Sequence, residues 1–386
     1  MRRPKTTMLL VSVAVAGLAL SACSNSASGN STSSGGDNAA GGNAAGVAAA
    51  KAYLQTTSAN PADIVLKTPL SKRPEPGKLI VRLVTPQPVA KVASDATEAA
   101  AAALGWSYKA IPIGTGPEDI QKAFEAALAL KPAPLGIVVS GFPKVTYAKQ
   151  LAEAKSKGIA VISEATTDPA GTGDGIVGLV NGPAQVRIWG KDVAALVVAD
   201  SNGKANVAMF SISAYPILGE FVKGFKDALA EWCPSCTVTD VDQQATDVGT
   251  KTPQSVVSTF QRNPRLNYAI FSLGDLTIGV DAAVKSAGLT NVKIAGEVPA
   301  AANLQALKDR NELAWTGLAA AEMGWRGVDG LARYANGDDL DVVSNTPLPT
   351  QVITKANVGS IVTDESGYYI GLTDYADQFM KLWQVE

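Results

Sequence analysis

The chain has 386 residues and a formal net charge of −2, with 46% hydrophobic and 18% charged residues. These values describe a well-buried globular protein with room for two domains, and they exclude a wholly disordered chain. The sequence contains no His, which excludes His-dependent catalysis and most catalytic zinc sites, and it has no basic run that would suit nucleic acid.

Residues 1–22 have the features of an export signal. MRRPKTT is positively charged, and the apolar run MLLVSVAVAGLAL that follows is too short for a permanent membrane helix. The run ends in LSAC, residues 20–23, which resembles the lipobox of bacterial lipoproteins. That resemblance implies lipid on Cys23 and an extracytoplasmic protein anchored to the cell membrane. The alternative is ordinary signal cleavage with an incidental Cys23.

The segment after Cys23 is rich in Gly, Ser, Ala and Asn. Residues 24–46 contain no aromatic and no β-branched apolar side chain, so they offer little surface to bury against a core. We therefore predict that residues 23–46 form the lipidated Cys and a disordered tether.

From Gly77 onward, short apolar runs alternate with helical stretches. In a first series we predict strands at 78–84, 106–113, 135–141, 159–163 and 175–180, with helices at 91–105, 117–130, 145–158 and 183–200. In a second series we predict strands at 205–211, 236–242, 268–273, 292–297 and 313–319, with helices at 217–232, 252–264, 275–288, 302–310 and 321–337. Continuous apolar strands between helices predict an α/β fold of two doubly wound, Rossmann-like parallel sheets joined by a hinge.

Three helical stretches carry a resemblance to a known family. LGEFVKGFKDAL (218–229), DLTIGVDAAVKSAGLTNVKIAG (275–296) and AEMGWRGVDGLARYANG (321–337), in this order and spacing, resemble the type I periplasmic binding proteins of the ribose-like class. The resemblance spans roughly residues 77–354. It implies a solute-binding lipoprotein of an ABC importer.

The resemblance also implies domains that are discontinuous in sequence. The last of those helices should return to the first domain, and the strand LPTQVIT (348–354) should cross back to the second. We predict an N-terminal lobe formed by residues 77–181 and 319–345, and a C-terminal lobe formed by residues 182–318 and 346–358. Residues 359–386 should form a C-terminal tail packed on both lobes.

Ligands of doubly wound sheets bind beyond the carboxyl ends of the strands. The candidate ligand-binding residues at those ends are Gln87, Ser140, Phe142, Glu164, Asn181, Tyr215, Asp247, Asp275 and Glu297. Their carboxylates and amides suit the hydroxyls of a sugar or polyol, and the two aromatic rings could stack on its apolar face. Each acid could instead cap a helix, as Asp275 could at its helix start, and each ring could simply pack.

The sequence departs from the ribose-binding pattern in two places. Where relatives carry arginines, the helix here reads Ile217, Leu218 and Glu220, and Glu297-Val298-Pro299 replaces a Phe-Asp-Gly. Ribose itself is therefore not favoured; a polyol, another monosaccharide or a less polar molecule stays open. No permanent charge on the ligand is implied.

The stretch EWCPSC, residues 231–236, has the outline of a thiol–disulfide oxidoreductase site. With Cys23 lipidated, Cys233 and Cys236 are the remaining pair of an exported protein, which favours a disulfide. The predicted helix precedes the pair and ends at Pro234, whereas a reactive thiolate needs a helix N-terminus. We predict a structural disulfide.

Together these patterns predict a non-enzymatic, monomeric substrate-binding lipoprotein that needs no cofactor and no metal. It would capture a small solute, a monosaccharide or polyol, by hinge closure and deliver it to a membrane permease. The alternatives are a ligand sensor on the same fold and an oxidoreductase that uses Cys233 and Cys236.

Overall fold

The computed structural model describes residues 37–309 and 312–385. The predicted export signal, Cys23 and residues 24–36 lie outside this range. Within it, no helix is both long enough and apolar enough to cross a membrane.

The described chain begins with a helix, α1 (Asp37–Thr57), and this corrects the predicted tether, which extended to residue 46. Ala is the best helix former, and the side chains spaced at three and four residues face the protein. Ala50 is fully buried, and Val47, Tyr53 and Leu54 pack on the same core. Gly46 lies so close to the carbonyl of Trp232 that a Cβ atom would not fit. Small residues therefore permit close docking here.

The first sheet has five parallel strands in the order β2-β1-β3-β4-β5. They are β1 (Leu79–Val84), β2 (Ser107–Pro112), β3 (Gly136–Ser140), β4 (Ala160–Glu164) and β5 (Ile176–Val180). The strands alternate with α2 (Pro88–Ala103), α3 (Pro117–Leu128) and α4 (Ala148–Ser156). The inner strands β1, β3 and β4 are buried on both faces, as their continuous apolar sequences predict.

The second sheet has six strands in the order β11-β10-β9-β8-β6-β7, parallel except for the antiparallel pair β10 and β11. They are β6 (Asn206–Ser211), β7 (Thr237–Asp242), β8 (Tyr268–Phe271), β9 (Lys293–Glu297), β10 (Glu312–Leu318) and β11 (Thr350–Thr354). The helices are α5 (Pro183–Ser201), α6 (Pro216–Trp232), α7 (Thr252–Arg262), α8 (Val280–Ser286) and α9 (Ala301–Asp309).

One predicted helix is interrupted. The stretch 275–288 was expected to be continuous, but it forms a 3-10 turn at Gly274–Thr277 and a separate α8 from Val280. Gly279 lies between them with φ 80°, a left-handed conformation that breaks the helical hydrogen-bond pattern.

The chain passes between the sheets three times. It leaves the first sheet after β5, returns after β10 into α10 (Ala320–Asn336), and leaves again after α11 (Asp341–Asn345) into β11. Helix α10 packs on α2, β4 and β5. We call the first sheet with α2–α4, α10 and α11 the N lobe, and the second sheet with α5–α9 the C lobe.

Both ends of the described chain pack on these lobes. The last helix, α12 (Tyr375–Trp383), stacks Trp383 on Trp325 of α10 at 5.2 Å between ring centroids. The indole of Trp383 donates a hydrogen bond to the buried carboxylate of Asp329 at 2.8 Å. Ahead of β1, the carbonyls of Ile64 and Thr68 accept hydrogen bonds from arginines of α10. The N lobe therefore includes chain from both termini.

Cys233 and Cys236 form the predicted disulfide. Cys233 is the C-cap of α6 and is almost fully buried, and β7 starts directly after Cys236. The pair closes the turn from helix to strand at the negative end of the helix dipole, a position that disfavours a reactive thiolate.

Candidate functional site

The two lobes enclose a cavity of about 130 Å³ at the carboxyl ends of their strands. At roughly 10–15 Å³ for each water-sized position, it has room for about ten non-hydrogen atoms. The N lobe contributes residues from β1, the ends of β3, β4 and β5, the loop before α2, the first turn of α2, and α10. The C lobe contributes residues from α5, the start of α6 and the ends of β8, β9 and β10.

An ion pair lies on the N-lobe side of the cavity. Arg82, in the middle of β1, donates to Oε1 of Glu164 at 3.1 Å and also contacts Oε2 of that carboxylate. The guanidinium donates further to Thr97 at 3.1 Å and Ser140 at 3.2 Å, and the hydroxyl of Ser140 donates to Glu164 at 2.8 Å. Arg82 and Glu164 are both fully buried, so each neutralises the other within the lobe.

The lobes touch each other across the cavity. Gln87, just after β1, donates from Nε2 to the hydroxyl of Tyr215 at 3.3 Å, and Tyr215 lies immediately before α6. Phe142 packs edge-on against the same tyrosine ring with centroids 6.1 Å apart. These contacts join the two lobes and bury Tyr215.

Three side chains that line the cavity have buried polar atoms without a hydrogen-bond partner among the described residues. They are the acceptors Asn181 Oδ1 and Glu297 Oε2 and the donor Trp189 Nε1. Buried polar groups are nearly always paired, so orphaned atoms around a cavity indicate where a ligand would bond.

Strained backbone is concentrated at the same place. Ala165, Asn181 and Val298 follow β4, β5 and β9, and all three line the cavity with φ between 49° and 57°. This left-handed region is tolerated by Asn but is unfavourable for a β-branched residue such as Val298. Such strain is typical of sites where the surrounding structure fixes a binding geometry.

Two buried carboxyls near the carboxyl ends of the C-lobe strands, Asp275 and Glu297, have no ion-pair partner among the described residues. Burial raises the pKa of Glu297 well above its usual value, and burial raises the pKa of Asp275 to about 6. Glu297 lines the cavity at the end of β9, whereas Asp275 lies in the turn after β8 and does not line it.

The remaining walls are mainly apolar. Ile217 and Leu218 of α6, which stand where ribose-binding relatives carry arginines, both line the cavity. Further apolar side chains come from both lobes; they are Val89, Ala90, Val186, Leu273, Val298, Leu318 and Met323. The site therefore combines a hydrocarbon lining with a few fixed polar groups, as small-molecule sites generally do.

The structure brings five of the nine sequence candidates to the cavity wall, namely Gln87, Ser140, Asn181, Tyr215 and Glu297. The other four lie elsewhere. Phe142 packs behind Tyr215, Glu164 is held by Arg82, and Asp275 is buried in its turn. Asp247 forms an ion pair with Lys251 at 3.0 Å.

Sequence reasoning missed Arg82, Thr85, Trp189 and Met323, which also line the cavity. Arg82 had a signal, because a charge in the apolar strand LIVRLV must be paired once buried. Trp189 and Met323 lie inside helices, where an apolar residue gives no sign of facing a ligand. Among the described residues, no group of three or more Asp, Glu, Cys or His could hold a metal ion.

Residues 84–339 match the sequence profile of the family described as "Periplasmic binding protein domain". This match covers well over half of the chain. No curated protein matches the sequence of the chain.

Solved structures share the fold. A glucose-galactose binding protein from Geobacillus stearothermophilus has 20% identity and a TM-score of 0.65, covering 73% of this chain and 99% of its own. An ABC transporter solute-binding protein from Burkholderia graminis, in complex with D-arabinose, has 19% identity and a TM-score of 0.64, covering 76% and 100%. One from Mycobacterium smegmatis with bound glycerol has 16% identity and a TM-score of 0.66, covering 76% and 99%.

Proposed function

Because the chain belongs to the periplasmic binding protein family, with the type I fold of its ribose-like class, we propose that it is the extracytoplasmic substrate-binding lipoprotein of an ABC importer. It captures a small solute between its lobes and delivers it to a membrane permease. It acts as a monomer and performs no chemistry on the solute.

The observation that carries this proposal is the cavity between the lobes. It lies at the carboxyl ends of both sheets, the contact between Gln87 and Tyr215 joins the lobes beside it, and its wall carries side chains with polar atoms that lack partners among the described residues. Three crossovers join the lobes, and such connections allow hinge closure around a ligand.

We propose a monosaccharide or polyol as the solute. Space for about ten non-hydrogen atoms suits a pentose or a smaller polyol. The relatives with D-arabinose and glycerol support this size range. The orphaned atoms of Asn181, Trp189 and Glu297 offer both acceptors and a donor, which hydroxyl groups can satisfy at once.

We propose Gln87, Ser140, Asn181, Tyr215 and Glu297 as ligand-binding residues, with Arg82 and Trp189 added from the structure. The membrane attachment is proposed from LSAC at residues 20–23, with lipid on Cys23. The described chain then starts at α1 on the C lobe, so the anchor would reach the protein from that lobe.

A thermal-shift screen tests the binding function. The chain without its signal and lipid is melted with monosaccharides and polyols. A true ligand should raise Tm by mass action, because at 100 times Kd it stabilises the folded state by about 2.7 kcal/mol. Leu218→Arg places a long cation into the cavity and should abolish the shift. Ala230→Arg puts the same side chain on the exposed face of α6 and should keep it.

Two outcomes would count against the proposal. One is a screen without any shift at millimolar concentrations. The other is a ligand whose shift survives Leu218→Arg in a protein that still unfolds cooperatively.

A further inference from the structure

The Glu297 carboxyl has no ion-pair partner among the described residues. Its side chain is 1% exposed at the end of β9, it lines the cavity, and its Oε2 atom has no hydrogen-bond partner among the described residues. An isolated buried carboxylate is strongly disfavoured unless a cation or several donors meet it.

The cavity wall supplies no free cation. Arg82 is the only Lys or Arg among the described residues that line it. Its guanidinium already donates hydrogen bonds to Glu164, Thr97 and Ser140. The Arg82 and Glu164 charges cancel, so an ionised Glu297 leaves the cavity with one net negative charge.

Acceptors also outnumber donors among the orphaned atoms of the wall. Once Glu297 is ionised, Asn181 Oδ1 and Glu297 Oε2 both need a donor, whereas Trp189 Nε1 alone needs an acceptor. An ammonium group offers three donors and no acceptor, which a hydroxyl cannot do. The apolar surface of Ile217, Leu218 and Val298 suits the carbon skeleton that would carry it.

We propose that the solute carries a primary ammonium group that binds Glu297, which makes it an amino sugar or amino alcohol instead of an unsubstituted sugar or polyol. This inference rests on the proposed solute-binding function and narrows its ligand class. On binding, the ammonium replaces the proton that a buried Glu297 otherwise holds.

Titratable groups on the neighbouring elements form no ion pair with Glu297 among the described residues. Asp275 lies in the turn after β8, the Arg82–Glu164 pair lies in the N lobe, the Tyr215 hydroxyl lies before α6, and Asp192 of α5 accepts from Tyr53 of α1. Burial alone raises the pKa of Glu297, without a contribution from any of these charges.

Isosteric pairs of ligands test the proposal by calorimetry. Serinol is compared with glycerol, and D-glucosamine and D-galactosamine are compared with D-glucose and D-galactose. We expect at least one amine to bind ten times more tightly than its hydroxyl partner at neutral pH. While the ligand remains an ammonium ion, its affinity should rise with increasing pH, because the Glu297 carboxyl must lose its proton, and the hydroxyl partner should gain nothing.

Variants separate a charge effect from a structural one. Glu297→Gln keeps the shape, should melt no lower than the unmodified protein, and should reduce the preference for the amine to less than twofold. Asp275→Asn removes a buried carboxyl that does not line the cavity and should preserve the preference.

The outcomes distinguish this inference from the proposed function. If neutral sugars or polyols bind as tightly as their amines, or if Glu297→Gln keeps the preference, the inference is wrong and solute binding stands. If no member of any pair binds at millimolar concentration, and the wider screen finds no ligand, both are wrong.

Discussion

Single buried charges in this protein fall into two groups. Arg82, Arg326 and Arg333 each pair with a carboxylate inside the N lobe, and these pairs help to fix α10 and β1. Asp192 of α5 is different, because its partner is the hydroxyl of Tyr53 in α1, which donates to it at 2.7 Å. Lys191 lies over the rings of Tyr53 and Trp232, about 5 Å from each centroid. Asp192 therefore has a neutral hydrogen-bond partner and no ion pair among the described residues, and the Tyr53 hydrogen bond and the nearby charge of Lys191 only partly offset its burial.

The pairing of Asp192 predicts a pH-dependent stability. Burial raises its pKa from 3.8 to about 7, so the folded chain keeps a proton that the unfolded chain releases near pH 4. This group therefore lowers the free energy of unfolding as pH rises from about 4 to about 7. Asp192→Asn lacks this loss. In urea titrations, we therefore expect the free energy of unfolding of the variant, relative to that of the unmodified protein, to increase from pH 4 to pH 7.

Asp227→Asn provides the control, since it removes an exposed carboxylate from α6. It should not reproduce the pH-dependent gain. A constant stability difference between Asp192→Asn and the unmodified chain from pH 4 to pH 7 would refute the prediction.

At the scale of elements, close packing of α5 against α6 forms the centre of the C-lobe helical layer. Glycines make this possible, because a Cβ on Gly190 would lie 2.2 Å from the carbonyl oxygen of Phe221. A Cβ on Gly224 would lie 2.1 Å from the carbonyl oxygen of Arg187. Both obstacles are helix backbone, which cannot move without separating the helices. Since the start of α6 lines the cavity, this packing also sets the position of Ile217 and Leu218.

We expect Gly224→Ala to lower the free energy of unfolding by about 1–3 kcal/mol, because overpacking must push α5 and α6 apart. Gly219→Ala on the same helix meets no atom within 4 Å and should be neutral or stabilise by up to about 1 kcal/mol through helix propensity. Urea denaturation of the two variants checks the contrast. Equal stabilities would show that the helices are not in tight contact.

At the scale of the whole molecule, the N-terminal segment connects the lobes outside the three crossovers. Helix α1 packs on α5 and α6 of the C lobe, and the carbonyl of Ser58 accepts a hydrogen bond from Gln351 in β11. A few residues later, Ile64 and Thr68 are held by arginines of α10 in the N lobe. The segment is therefore an integral part of the two-lobed structure.

We predict that a chain starting at Ser58 is less stable than one starting at Asp37. Loss of α1 exposes the surface that Val47, Ala50 and Tyr53 cover, and the burial of such side chains is worth about 3 kcal/mol or more in total. The midpoints of urea unfolding measure the difference. Identical midpoints would mean that α1 contributes nothing to the stability of the protein.

Local pattern was enough to predict much of this protein. Apolar runs bounded by glycines located the strands, because a strand buried on both faces must be apolar throughout. The rule that ligands bind at carboxyl strand ends placed Gln87, Asn181 and Glu297 on the wall of the cavity, since backbone direction fixes where a parallel strand ends. Because Cys233 and Cys236 follow a predicted helix, the sequence predicted a structural disulfide, and the structure contains this disulfide.

Contacts between residues distant in sequence decided the rest. Glu164 was a candidate for ligand binding until Arg82, 82 residues away, was found to neutralise it. Composition predicted a tether as far as residue 46, but Gly46 is small enough for α1 to lie against Trp232. The sequence by itself determined the elements and their order, because those depend on local periodicity. Only the tertiary structure decided which polar atoms have partners, because pairing depends on what folding brings together.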